Sequence, residues 1–382
     1  MRLNRAIILL LLLAGLFSCV EPYTPRTVGY DEMLMIEGII FDDPAMMPKV
    51  TISRSIPLNR EGGYIYETGA TVSVECDDGT SFPFFETTPG VYRTAGLPVI
   101  PEQGKSYRLL VATSDQKIYA SAYEPYTPPA PIDSVTYRAE YTKVSEFGEW
   151  EHGLKFYANA SSSDDRPLYL RWLLDATYHY SVPFPGDFVW TGSVVENYLG
   201  PDYRYCWKSL EIPGIFIADS YGTEGNRVAD AELNFVSQFG DQLTIRYSLN
   251  VVQLTIPRSA YEFWYDLKKM IDDTGGLYET QPFRIRGNIE CISDPDTEAG
   301  GVFEVAGVSR ARIFADRPTE FEIRPFNCSL VPIGPDGLSW DLLPPNIFVT
   351  EVDVEKYATT LQQQCYDCRL RGGTTVRPPF WE

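Results

Sequence analysis

The sequence predicts a mostly β protein: an N-terminal immunoglobulin-like β-sandwich followed by a larger β-rich domain with one or two helices. Three observations predict it. The chain holds 25 Tyr and 20 Phe, residues that fit a pleated, half-buried surface. It also holds 29 Pro and 29 Gly, which punctuate short strands with turns. Its apolar residues mostly alternate over short runs, and helical spacing takes over in only two stretches. At 382 residues and 44% hydrophobic, the chain is long enough for two domains with cores of their own.

The first element is a leader. Arg2 and Arg5 precede an apolar run from Ala6 to Phe17, shorter than the roughly 20 residues a spanning helix needs. With small Ser18 at its end, residues 1–18 read as a secretory signal. Leu16, Phe17, Ser18 and Cys19 resemble a bacterial lipobox, whose cysteine is acylated and becomes the first residue of the mature chain. Cys19 is therefore expected to hold the protein to a membrane through lipid; the alternative is an ordinary signal that happens to contain a cysteine. Residues 19–31, opening "CVEPYTPRT", are polar and proline-punctuated and read as the lipidated tether.

Residues 32–123 carry the short runs "MLMIEGIIF", "KVTISRSI", "TVSVEC", "SFPFFE", "YRLLVAT" and "KIYASAY", with turn signals at Asp78-Gly79, Pro89-Gly90 and Ser114-Asp115. Short strands at this spacing predict the immunoglobulin-like sandwich. "EPYTPPAPIDS", residues 124–134, is too proline-rich to donate to a sheet ladder and is expected to be a linker.

Residues 135–382 form the second domain. "LYLRWLLDATYHY" alternates so as to bury Leu170, Trp172 and Leu174. In "LTIRYSLNVVQLTI" the alternation changes phase at Val252, which predicts a β-bulge. "SAYEFWYDLKKMIDDTGG" sets Ala260, Phe263, Trp264, Leu267, Met270 and Ile271 at helical spacing, after Pro257, with Ser259 as cap and Gly275-Gly276 as stop. A second, shorter helix is expected over Val354 to Gln364. The loop from Ala218 to Glu232 reads as a connection in which Gly222 and Gly225 supply turn geometry.

Charge and cysteines bear on function. A net charge of −20, more negative still once Arg2 and Arg5 leave, argues against a nucleic-acid partner, which needs a dense basic surface. Besides Cys19 there are Cys76, Cys206, Cys291, Cys328, Cys365 and Cys368, an even set in an exported chain that suggests disulfides. Spacing does not reveal the pairing. Cys365 and Cys368, in "CYDC", fit a redox pair, half of a zinc site or two structural half-cystines. Cys76 shares an alternating face with Val72 and Val74, so it could be a buried free thiol; one of the other five, Cys206, Cys291, Cys328, Cys365 or Cys368, would then be unpaired too.

The pieces "SCVEPYTP", "TISRSIPL" with "GATVSVECDDG", "PAPIDSV", "YCWKS", "GGLYETQPFRIRGNIEC" and "CYDCRLRGGTTVRPPFW" occur in order over nearly the whole chain. Together they resemble the Bacteroidota lipoprotein family catalogued as domain of unknown function 4249. The resemblance implies an outer-membrane lipoprotein, often encoded beside a TonB-dependent receptor, with no activity to carry over. It gives Cys19 the role of lipid anchor and the other cysteines that of structural bridges. Surface-directed lipoproteins of these bacteria tend to carry an acidic cluster after the cysteine, and here only Glu21 stands there, so the face of the membrane stays open.

Catalytic signatures are sparse. The two histidines, His152 and His179, belong to no HExxH or nucleophile motif and read as strand or loop residues. GxSxG, GxxxxGK[ST] and GxGxxG do not occur, so no catalytic, cofactor-binding or metal residue is assigned. Asp294, Asp296 and Glu298 alternate as in a calcium loop but lack the frame of an EF-hand, and a solvated acidic turn explains them as well. The expectation is a non-enzymatic lipoprotein that docks on, or presents a ligand to, an outer-membrane TonB-dependent receptor. The alternative, a carboxylate-dependent hydrolase or a binder of polysaccharide, rests on the 52 acidic residues and the many aromatics.

Overall fold

A computed structural model describes residues 33–55, 65–96, 98–143, 148–162, 166–223, 225–273, 285, 287–335 and 337–381. The expected signal, Cys19, the expected tether and the Gly275-Gly276 stop lie outside the described residues. The protein is mostly β, with one α-helix among the described residues.

The N-terminal lobe contains β1 (Leu34–Phe41), β2 (Lys49–Arg54), β3 (Ile65–Tyr66), β4 (Thr71–Cys76), β5 (Ser81–Thr88), β6 (Val91–Thr94), β7 (Ser106–Ala112), β8 (Ile118–Ser121) and β9 (Glu124–Pro125). The path β1-β2-β6-β5-β4-β7-β8 is antiparallel throughout. Alternate residues Leu34, Ile36 and Ile40 of β1, Val72, Val74 and Cys76 of β4 and Leu109 and Val111 of β7 fill one sandwich-like core, as period-two alternation requires.

The larger lobe begins with β10 (Ile132–Lys143), β11 (Trp150–Ser161), β12 (Tyr169–Ser181), β13 (Phe188–Trp190), β14 (Val195–Asn197), β15 (Tyr205–Asp219), β16 (Arg227–Ser237) and β17 (Arg246–Thr255). It continues with α1 (Arg258–Asp273), β18 (Ile289–Cys291), β19 (Ala299–Asp316), β20 (Val331–Pro332), β21 (Ile347–Asp353) and β22 (Lys356–Thr359). A three-stranded sheet, β10-β11-β16, covers one face of β15-β12-β17-β19, and α1 covers the other. A small sheet, β14-β13-β21-β22-β20, stands apart around Trp190, Leu343, Ile347 and Val349.

β19 joins the lobes. Its first half, Ala299 to Ala306, pairs in parallel with β1, and its second half, Gly307 to Asp316, pairs antiparallel with β17. β18 adds to β8, so strands from beyond the expected linker complete the N-terminal sheet. Two glycines permit the crossing. Gly301 has φ +112, and a Cβ there would run into the Ile36 carbonyl of β1. Gly307 lets residues 127–129 lie directly on β19, where a Cβ would come 2.6 Å from the Thr127 carbonyl. The proline-rich segment is consequently pinned: Ala130 N–H donates to Thr255 (2.9 Å), and its carbonyl accepts from Gln253 (2.9 Å) and Ser309 (2.7 Å).

Three expected elements differ. β17 has no bulge at Val252, because its register with β12 and β19 is continuous. Val251 packs toward β10-β11-β16 and Val252 toward α1; the phase change marks a strand buried on both faces. Residues 354–364 form no helix. Glu355, at φ 57, turns β21 into β22, and only a 3₁₀ turn follows at Gln363–Cys365. β-branched Thr359 and Thr360 favour the strand, and the Thr359 hydroxyl donates to the Phe348 carbonyl at 2.7 Å. Finally, α1 buries Ala260 and Phe263 and packs Trp264 and Leu267, while Ile271 is 56% exposed and lines an open cavity beside β15. Ser259 lies within α1, and its hydroxyl donates to buried Glu124 (2.7 Å) rather than capping the helix.

Candidate functional site

The site is a cavity of about 320 Å³ where the two lobes meet, lined by β1, β2, β6, β12, α1 and β19. Its size falls at the lower end of small-ligand pockets, roughly 300–1,000 Å³. Register explains its composition. On β1 the residues that face away from the sandwich core are Glu37, Ile39 and Phe41. In register, Ile39 stands between Lys49 of β2 and Glu304 of β19, and one more step along β2–β6 puts Arg93 beside Lys49. A single row across four strands thus reads Arg93, Lys49, Ile39, Glu304. Arg171 and Leu173 arrive from β12, Trp264 from α1, and Met46 and Met47 from the β1–β2 connection.

Glu304 is the unusual member, a carboxylate only 2% exposed in the apolar run of β19. Its Oε1 accepts from Arg171 Nη1 (2.5 Å) and from Trp264 Nε1 (2.7 Å). The Arg171 guanidinium lies over the Trp264 ring, 4.1 Å from its centroid, a favourable contact that also fixes the donor. Glu304 Oε2 is buried with no hydrogen-bond partner. Such an atom costs about 1–3 kcal/mol or more if left unmet, so native structures nearly always supply a donor. Lys49 and Arg93 form no salt bridge among the described residues. The row therefore has a buried acceptor at one end and two cations at the other, and Glu37 and two flexible methionines also line the cavity.

None of these residues was a sequence candidate. The available signal was one charge inside an otherwise apolar strand: Glu304 in "GVFEVAG" and Arg171 in "LYLRWLL". A charge there is either paired or functional.

The residues singled out from sequence lie elsewhere. Cys206 bridges Cys368 and Cys328 bridges Cys365; the two cysteines of "CYDC" thus serve two different bridges. Cys291, expected among the bridge candidates, is a buried free thiol, as is Cys76. Cys291 is held on β18, where its neighbour is Tyr119 of β8. The C-terminal hook is fastened further by Arg371, which pairs with Asp241 at 2.6 Å, and by Tyr180, whose hydroxyl donates to the Cys368 carbonyl at 2.7 Å.

Asp294 accepts from Thr297 (2.6 Å) and pairs with Lys117 (3.4 Å). Among the described residues no three His, Cys, Asp or Glu side chains gather as metal ligands would. His152 packs on Tyr141 at 4.5 Å, and His179 stacks on Trp207 at 4.5 Å. Burial and the nearby Arg377 charge hold His179 below its ordinary pKa. A smaller depression of about 200 Å³ has Tyr198, Tyr203, Phe348 and Tyr366 in its wall. There Tyr198 meets Phe348 edge to face at 5.0 Å, so these rings pack on one another.

No helix among the described residues is long and apolar enough to cross a membrane. No curated protein matches the chain. A family model described as domain of unknown function DUF4249 matches residues 20–312, a span that takes in every wall of the Glu304 cavity and ends before Cys328. With most of its length inside that match, the chain belongs to the DUF4249 family.

Proposed function

We propose that the protein is a lipid-anchored outer-membrane binding protein that works beside a TonB-dependent receptor. In this reading it holds a small ligand in the Glu304 cavity and presents it to the receptor, with no chemistry of its own. The observation that carries it is the cavity itself: a largely apolar chamber between lobes, with a buried carboxylate oxygen that lacks a donor and two cations that form no salt bridge among the described residues. Concave, mostly apolar sites with a few convergent polar groups are the usual form of small-molecule binding sites. The lipobox-like run ending in Cys19 supports the anchorage.

The test has two arms. The full chain, tagged at its C-terminus and extracted in mild detergent, should co-purify an outer-membrane β-barrel, and repeated failure to recover one argues against the receptor. Cys19→Ala should move the protein from the membrane fraction to the soluble fraction. Retention of that variant on the membrane would overturn the anchorage.

The hydrolase alternative has one observation in its favour. Glu37 and Glu304 stand at diagonal positions of β1 and β19 and line the same cavity. Glu304 Oε1, however, is already engaged by Arg171 and Trp264. Glu37→Gln leaving hydrolysis of an envelope polysaccharide intact would remove this pair from consideration.

A further inference from the structure

We infer that the ligand of the Glu304 cavity is a short apolar zwitterion, a di- or tripeptide or a molecule of that charge layout; the inference rests on the ligand-binding reading above. Three features select this class. Glu304 can only accept, and two donors already occupy Oε1, so the missing partner of Oε2 is a donor, and a cation suits a buried carboxylate best. Lys49 and Arg93 stand at the other end of the row and, two cations against the one carboxylate of Glu37 in the same wall, favour an anion. Ile39 lies between the two ends and Phe41, Met46, Met47 and Leu173 also line the cavity, which favours an apolar body.

Spacing narrows the class further. Lys49 and Glu304 sit two strands apart, which places their Cα atoms about 10 Å from each other at the usual strand separation. Two or three extended residues span about 7–10 Å, which brings an ammonium to Glu304 and a carboxylate to the two cations. Arg171 and Trp264 hold the carboxylate in place, so Glu304 need not reorganise when the ammonium arrives. The methionine wall adapts to different side chains, so the site reads the two termini rather than a sequence.

The experiment is calorimetric titration of the full mature chain in detergent with leucyl-leucine, N-acetyl-leucyl-leucine, leucyl-leucinamide and maltotriose. Leucyl-leucine should bind, and blocking either terminus should weaken it by about tenfold or more, the scale of one charge-assisted hydrogen bond. Glu304→Gln should erase the penalty for acetylation while keeping the penalty for amidation, and the Lys49→Ala, Arg93→Ala pair should do the converse. Unfolding midpoints of the variants are read alongside, and the wild-type comparison stands without any variant. Equal binding of the blocked peptides, or binding of maltotriose in place of leucyl-leucine, overturns the zwitterion but leaves a ligand-binding protein. Binding of none of the four, with the wild-type chain folded, takes down both readings.

Discussion

Replacing Arg171 by Met removes the cation that faces a nearly fully buried carboxylate. The side chains of Arg171 and Glu304 are 17% and 2% exposed, and their ion pair is 2.5 Å long. Breaking a buried pair by deleting one partner costs about 3–5 kcal/mol, because the remaining charge stays desolvated. Loss of the guanidinium from the Trp264 face adds about 0.5–2 kcal/mol. Arg171→Met alone should therefore destabilise by about 3.5–7 kcal/mol. Glu304→Leu alone should cost about 3–5 kcal/mol, since it strands the guanidinium among apolar neighbours. The double variant Arg171→Met, Glu304→Leu replaces the pair by apolar groups of similar bulk and should fall within about 2 kcal/mol of the wild type. A double-mutant cycle measured by urea unfolding should thus give a coupling of several kcal/mol. Additivity of the two single changes within about 0.5 kcal/mol, the behaviour of independent sites, would show that Arg171 does not hold Glu304, and the preorganised acceptor would fall with it.

Four further outcomes are expected. Removing the Cys206–Cys368 bridge, with a sequence separation of 162, should cost about 5 kcal/mol by the chain-entropy relation. Removing Cys328–Cys365, with a separation of 37, should cost about 4 kcal/mol, and peptide mapping that finds Cys365 joined to Cys368 would refute this connectivity. Gly301→Ala should destabilise by about 3 kcal/mol or more, since strain and collision with β1 combine, whereas Gly69→Ala, with positive φ but open space, should cost only about 1–2 kcal/mol; equal midpoints for the two variants would contradict the close approach of β1 and β19. Burial pushes Tyr119, Tyr178 and Tyr180 up to about 12. Both states keep these phenols neutral below pH 10, the ordinary tyrosine value. Above it the unfolded chain releases protons first, so stability should fall from there through the folded pKa. Replacing Tyr119, Tyr178 or Tyr180 by Phe should leave the folded protein's tyrosinate absorbance near pH 10 unchanged, and a loss of that absorbance in any one variant would refute the burial of that residue.

Local regularities were legible in the sequence because they depend on neighbours along the chain. The strand Leu168 to Tyr180 shows its inward set by alternation, and Leu170, Trp172 and Leu174 are 0%, 1% and 5% exposed. The helix after Pro257 declares itself by spacing, and it is the α1 that roofs the cavity. Where two influences overlap, the pattern misleads. A strand covered on both faces, such as β17, mimics a bulge, and the run after Val354 has helical composition but supplies the turn and second strand of a hairpin.

What the chain alone determined is a mostly β body, rich in turns, since composition and periodicity along the chain decide these. The tertiary structure decided everything at the cavity. Glu304 and Arg171 are 133 residues apart, and Lys49 joins their row only through the parallel pairing of β1 with β19. Sequence separation does not encode which distant strands share an edge; that is settled by which faces can be buried together. Here β19 satisfies both lobes at once, and the same strand that closes two cores carries a carboxylate into the space between them.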